Sequence, residues 1–301
     1  MASITKESIM SMNVPGIPDV RGYLLHISHY DPSWCAVKDK EKPFDLQVGL
    51  EVVDVMAEAG FNLLVMDPKD GVAYGSHPEL KRHYTQPMDV LGRLAGHARE
   101  RGLDVAVKLN FSQSGTHRHN HWFAPHNGLF DNDEYWQRAF RIIDELIEAA
   151  RPKRFFHVGM DEDHDRSVPQ YVEAIRTLHE GLSRRHIRTL IWNDSACHWP
   201  QAAVHRDKSL AAEKHAPKDV THVIWDYGDT IDIDAFRRAI GRGLTVWGAP
   251  GSRPGNVEAM LGVLAECGAE GILLTRWIPC IPENRDTLIG RVKSASKLFG
   301  R

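Results

Sequence analysis

Short apolar runs alternate along the chain with segments whose apolar residues recur every three or four positions. The runs fall at residues 23–27, 61–66, 103–110, around Phe155, Phe156 and Val158, and at 187–192, 220–225, 244–247 and 271–276. Their content is Val, Ile, Leu and aromatic, which reads as buried strand. The intervening segments read as amphipathic helices over 45–59, 87–101, 133–150, 168–185, 232–240, 256–267 and 285–299, with a weaker one somewhere in 201–215. In the first helix Leu46, Leu50, Val53 and Met56 fall on one face. Gly60, Gly102 and Gly268 stand where helices must stop. Strict alternation implies parallel strands joined by helical crossovers. A count of eight favours the closed α/β barrel, a single (β/α)8 TIM barrel, over an open doubly wound sheet. No Gly-x-Gly-x-x-Gly follows the first strand, which counts against a dinucleotide fold. Residues 1–20, with Pro15 and Pro18 and no period, read as a lead-in, and 21–301 as one barrel domain.

Length agrees with this, because a (β/α)8 barrel takes about 250 residues and the chain has 301. The net charge of −3 supplies no basic field for nucleic acid and no polybasic patch for a membrane surface. No run approaches the ~18 apolar residues of a membrane span, and 1–20 lacks the apolar stretch of a signal peptide. Cys35, Cys197, Cys267 and Cys280 lie far apart, so neither a disulfide framework nor a zinc ribbon is indicated, and a cytoplasmic setting is the simplest expectation.

In such a barrel the chemistry lies at the C-terminal ends of the strands. Reading those ends in order gives His26, Ser28 and His29; then Asp67, Lys69 and Asp70; then Lys108 and Asn110. Strand four gives His157, Asp161 and Glu162, and strand five gives Trp192, Asn193 and Asp194. The last three strands give Trp225, Asp226 and Tyr227, then Trp247, then Arg276 and Trp277. The adjacent acids Asp161 and Glu162 crowd two negative charges, which should raise one pKa and fit it for proton donation. The alternative is that they only begin the next helix, where acids suit the dipole. Asp163, His164, Asp165 and Arg166 read as a solvated helix start. Tryptophan faces beside acids and amides suit a sugar, whose C–H faces stack on indole while its hydroxyls seek carboxylates. His26, Asp67, Asn110, His157, Trp192, Asp194, Trp225, Asp226, Trp247, Arg276 and Trp277 are therefore the candidate substrate-binding residues. In the other reading the tryptophans plug the barrel and the acids cap helices.

The loop 116–126 is rich in histidine. His117, His119 and His121 alternate and would face one way in an extended segment, as metal ligands can. Nothing else completes a ligand spacing, so a polar loop over the barrel mouth is the reading adopted, with no metal.

The strand-four segment His157-Val158-Gly159-Met160-Asp161-Glu162 resembles the His-x-Gly-x-Asp-Glu motif of family 20 glycoside hydrolases, the β-N-acetylhexosaminidases. Looser matches fall in order: Arg21-Gly22, Glu79-Leu80 followed by Tyr84-Thr85, Trp192-Asn193-Asp194, Trp225 and Trp277. The resemblance spans residues 21 to 280. It implies substrate-assisted hydrolysis, an exception to the two-carboxylate scheme. By that resemblance Glu162 protonates the leaving oxygen. Asp161 orients the substrate's 2-acetamido group, whose oxygen attacks the anomeric carbon. Water deprotonated by Glu162 then opens the oxazoline, and His157 supports the acids from behind. No metal or organic cofactor is required, and the partner is a small saccharide or glycoconjugate. Several positions depart from the family pattern. His26 and His29 stand near the places of its Asp and Arg after strand one. Trp247-Gly248-Ala249 occupies the place of its strand-seven Tyr and Asp, and Pro279 that of an acid after the last tryptophan. No counterpart of the family's additional N-terminal domain is expected in residues 1–20. Two further readings stay open. One is a metal-dependent sugar isomerase or lyase recruiting Asp67, His157, Glu162 and the loop histidines. The other is a carbohydrate-binding barrel without turnover.

Overall fold

The computed structural model describes residues 17–28, 40–115, 121–251 and 253–299. Eight parallel strands close into a barrel in sequence order, β1 pairing with both β2 and β8. They are β1 (Val20–His26), β2 (Leu63–Asp67), β3 (Asp104–Lys108), β4 (Phe155–His157), β5 (Arg188–Asn193), β6 (Thr221–Trp225), β7 (Thr245–Ala249) and β8 (Gly271–Leu274). Each is followed by a helix: α1 (Leu46–Glu58), α2 (Asp89–Glu100), α3 (Asp133–Ala150), α4 (Val168–Ser183), α5 (Ala203–His215), α6 (Ile233–Gly241), α7 (Pro254–Cys267) and α8 (Arg285–Ser296). The structure is thus the expected (β/α)8 barrel. Among the described residues no helix is long and apolar enough to cross a membrane.

Alternation along each strand builds two apolar layers. Leu24, Leu63, Val65, Ala106, Leu190, Val223 and Leu273 fill the barrel. Tyr23, Leu25, Leu64, Met66, Val105 and Val107 point out to the helices. The barrel floor is closed by Trp247. Its ring lies edge-on to Phe155 at 5.0 Å, and its Nε1 donates to Glu270 Oε2 at 2.6 Å. Glu270 precedes β8 and pairs with Arg188 at the start of β5, so this contact lies at the N-terminal end. Gly271 makes room for the indole: a Cβ there would sit 2.8 Å from the ring.

Local signals position the loops. Ser167 caps α4, and Gln170 completes a reciprocal capping box. Asp161 and Glu162 therefore lie upstream of the helix cap, in the turn that leaves β4.

Candidate active site

The turn after β4 departs from ordinary backbone. Gly159, Met160 and Glu162 all have positive φ, at 74°, 80° and 48°. Glycine at 159 is required twice over, by that angle and because a Cβ would fall 2.3 Å from Asn110 Oδ1. The strained turn is held from several sides. Asn110 Oδ1 accepts from Met160 N, Tyr171 Oη donates to Met160 O, and Trp192 N donates to Gly159 O. The outcome is that Asp161 and Glu162 both reach the mouth of the barrel. Asn110 Nδ2 donates to Asp161 Oδ1 at 2.7 Å, and the Glu162 backbone N–H donates to Asp194 Oδ2 at 2.8 Å. Strain of this kind persists only where surroundings over-determine it, and it concentrates at functional sites.

Both acids line a cavity of about 270 Å³. Lys69 just after β2, Lys108 at the end of β3 and Asn110 just after it line the cavity, and Trp192, Trp199, Trp225, Tyr227 and Trp277 supply aromatic walls. The indoles of Trp192 and Trp277 lie 6.2 Å apart, and Trp199, Trp225 and Tyr227 follow one another at 5.6 and 5.2 Å. Trp199, Trp225 and Tyr227 also border an outer groove of about 680 Å³. A larger groove of about 770 Å³ runs along the flank between α3 and α4, away from the strand ends.

Beneath the cavity lies a charged cluster centred on Asp67. Its Oδ2 meets His26 Nδ1 at 3.0 Å, Lys108 Nζ at 3.2 Å and Lys69 Nζ at 3.4 Å. Burial alone would raise the Asp67 pKa, but Lys108, Lys69 and the His26 hydrogen bond outweigh it and hold the carboxylate well below its usual range. Burial pushes His26 down to about 4 despite Asp67. Lys108 is likewise lowered by burial, against the pull of Asp67. His157 is buried below the acids. Its Nδ1 accepts from Gly159 N, its ring lies 4.3 Å from Trp192, and burial, with Lys108 adding to it, keeps it neutral.

Asp194 is an internal brace and does not line the cavity. It accepts from Trp225 Nε1 at 2.6 Å and meets His205 Nδ1 at 3.0 Å. Burial raises its pKa against the His205 hydrogen bond. His26, Asp67 and His157 likewise sit behind the lining residues. Asp226 does not line the cavity but borders the outer groove, accepting from Gly228 N and Asp232 N to shape the loop into α6. Arg276 is half-buried and acts electrostatically on Tyr23 and Arg291 in the outer layer. Trp247, expected at the rim, is at the floor. Asp163 and Arg166 are not a solvated helix start. Asp163 is fully buried, accepting from Gln113 N, Arg166 and Lys208, and Arg166 also grips Asp131. Of the residues not nominated from sequence, Lys69, Lys108 and Tyr227 stood at strand ends. Trp199 lies just before the 3-10 turn Pro200–Ala202 and carried no positional signal. His29, His117 and His119 lie outside the described residues.

The fold and cavity define a (β/α)8 barrel with paired acids at the end of β4. Solved structures that it resembles are glycoside hydrolase family 20 β-hexosaminidases. The exo-β-N-acetylglucosaminidase of Vibrio harveyi, in complex with N-acetylglucosamine, matches at TM-score 0.62 and 13% identity, covering 93% of this chain and 54% of that one. A mutant Streptomyces plicatus β-hexosaminidase, in complex with product (GlcNAc), matches at 0.68 and 14%, covering 93% and 63%. Dispersin B matches at 0.56 and 14%, covering 93% and 97%. The chain thus spans just over half to under two thirds of the first two enzymes, and the likeness at these identities is one of fold. No family sequence model matches the chain, and no curated protein sequence does.

Proposed function

We propose that this protein is a glycoside hydrolase of the hexosaminidase kind, cleaving a terminal N-acetylated amino sugar by substrate-assisted catalysis. The observation that carries the reading is the placement of Asp161 and Glu162 together on an aromatic-walled cavity, with Asp161 fixed by Asn110. In this reading Glu162 protonates the glycosidic oxygen as the bond to the anomeric carbon breaks. Asp161 accepts from the acetamido N–H, and the acetamido oxygen attacks the anomeric carbon to form an oxazolinium ion. Glu162 then deprotonates the water that opens the ring. The indoles of Trp192, Trp225 and Trp277 enclose the sugar's apolar faces. Tyr227, entering from the β6–α6 loop, helps hold the acetamido group, the part that the resemblance implies for a strand-seven tyrosine. The leaving group extends over Trp199 into the outer groove.

The test is hydrolysis of aryl and alkyl N-acetyl-β-glucosaminides and galactosaminides, with the plain glucosides alongside. Wild type is expected to cleave only the N-acetyl substrates. Glu162→Gln should lower kcat by about 10²–10⁴-fold, most for the alkyl aglycones that need proton donation. Asp161→Asn should lower turnover by a comparable factor. Cleavage of plain glycosides with equal efficiency would remove the role given to Asp161. No cleavage of any substrate would overturn the hydrolase reading.

A further inference from the structure

Two loops that frame the barrel mouth meet at a cluster outside the cavity. His77 and Glu79 lie on the β2–α2 loop, where Pro78–Leu80 form one 3-10 turn. His126 lies on the 3-10 stretch His121–Leu129 of the β3–α3 loop. One donor atom from each of the three side chains lies within 4.8 Å of the other two. His126 Nε2 is 2.8 Å from Glu79 Oε1, and the two imidazoles meet edge to face at 5.5 Å. Both histidines are buried, at 2% and 6% exposure, while Glu79 reaches solvent. Ser76 Oγ engages His77 Nδ1 at 2.6 Å, leaving Nε2 as the ligand atom. A hydrogen bond on one ring nitrogen commonly orients the other toward a metal.

A simple His–Glu hydrogen bond explains one pair. It does not explain why a second buried imidazole converges on the same point. Two neutral imidazoles and one carboxylate are a familiar zinc donor set, completed by water. Zn–N and Zn–O bonds of about 2.0–2.2 Å put tetrahedral donors about 3.3–3.5 Å apart. The present span needs only small side-chain adjustments to reach that.

We propose that His77, Glu79 and His126 bind a divalent cation of the zinc type, which fastens the β2–α2 loop to the β3–α3 loop. The fastening bears on the acids indirectly. The β3–α3 stretch carries Trp122, whose Nε1 donates to Asn110 O, and Phe123, stacked on Trp122 at 4.8 Å and facing His77 at 6.4 Å. Asn110 in turn holds Asp161. The ion is a staple for this platform and takes no part in bond cleavage.

The experiment uses the whole chain, stripped with chelator and titrated with Zn²⁺ by calorimetry at pH 7.5, with thermal unfolding recorded at each metal level. The expected result is one ion per chain at micromolar or tighter affinity and a Tm that climbs with zinc. His126→Gln and His77→Gln should each weaken binding at least about tenfold and abolish the Tm response. Glu79→Gln keeps a hydrogen-bonding partner for His126 on an exposed side chain, so it tests the site even if a histidine variant fails to fold. It too should weaken binding. A His117→Gln/His119→Gln variant should bind as wild type does. Absence of stoichiometric binding overturns the proposal. So does binding unaltered by Glu79→Gln, or binding lost in the His117/His119 variant.

Discussion

At the scale of single residues, the position that decides most is Gly159. Its positive φ and its contact with Asn110 leave no room for a methyl group. The residue it would displace is the one that donates to Asp161. Gly159→Ala is therefore expected to cost about 1–3 kcal/mol of stability. It should lower turnover at least about tenfold, because Asp161 loses its orientation. Urea unfolding and steady-state kinetics on the same preparation check both, and an unchanged kcat would show that Asn110 does not set the position of Asp161. The requirement for glycine and the paired acids were legible in the His157 to Glu162 motif. Asn110's part was legible only as an amide at a strand end, because its bond to Asp161 joins residues 51 apart in sequence. Asp163 and Arg166 depart from the expected solvated helix start for the same reason. Their partners Lys208 and Asp131 lie on other elements, and nothing local distinguishes a buried ion network from a solvated helix start.

At the scale of the elements, strand and helix placement followed directly from the apolar runs and the glycines that stop helices. Strand ends proved less legible, because barrel shear is a relation between neighbours. Trp247 shows this. The apolar run ends at the indole, but β7 continues through Gly248 to Ala249, and Trp247 pairs with Gly271, the first residue of β8. An aromatic read as a rim wall thus belongs to the floor. Trp277, beyond the end of β8, does line the cavity. The two tryptophans should separate experimentally. Trp247→Ala is expected to cost about 3–5 kcal/mol in unfolding free energy, as a large buried side chain lost from a packed barrel. Its KM should stay within about twofold. Trp277→Ala should do the reverse, raising KM about five- to tenfold for the loss of one stacking face with little change in stability. Equal effects of the two on KM would mean that the cavity extends to the barrel floor.

For the whole molecule, the barrel moves the titration of several groups away from their ranges in water. Burial takes His26 and His222 down to about 4 and His157 well below its ordinary value. Each is neutral in the folded chain, while in the unfolded chain it gains a proton as pH drops through about 6.5. Between those values the unfolded state binds more protons, so stability must fall as pH falls from about 6.5 toward 4. Each such group contributes a slope of up to about 1.4 kcal/mol per pH unit. Asp67 continues the trend at lower pH. Its depressed pKa contributes stability above the ordinary carboxylate range, which is lost as acid finally protonates it. Urea unfolding at pH 7, 6 and 5 should therefore show a steady loss of stability. His222 offers a local check, because it faces Asn193 and Glu213 and lies outside the cavity lining. Asn193 Nδ2 donates to its Nδ1, and glutamine can keep an acceptor there without titrating. His222→Gln should flatten the profile by up to one proton between pH 6.5 and 4. A profile equally steep in the variant would place the acid sensitivity on His157 and on the Asp67 cluster, where His26, Lys69 and Lys108 share one carboxylate oxygen. Acid lability would then originate in the same charges that underlie the aromatic-walled cavity.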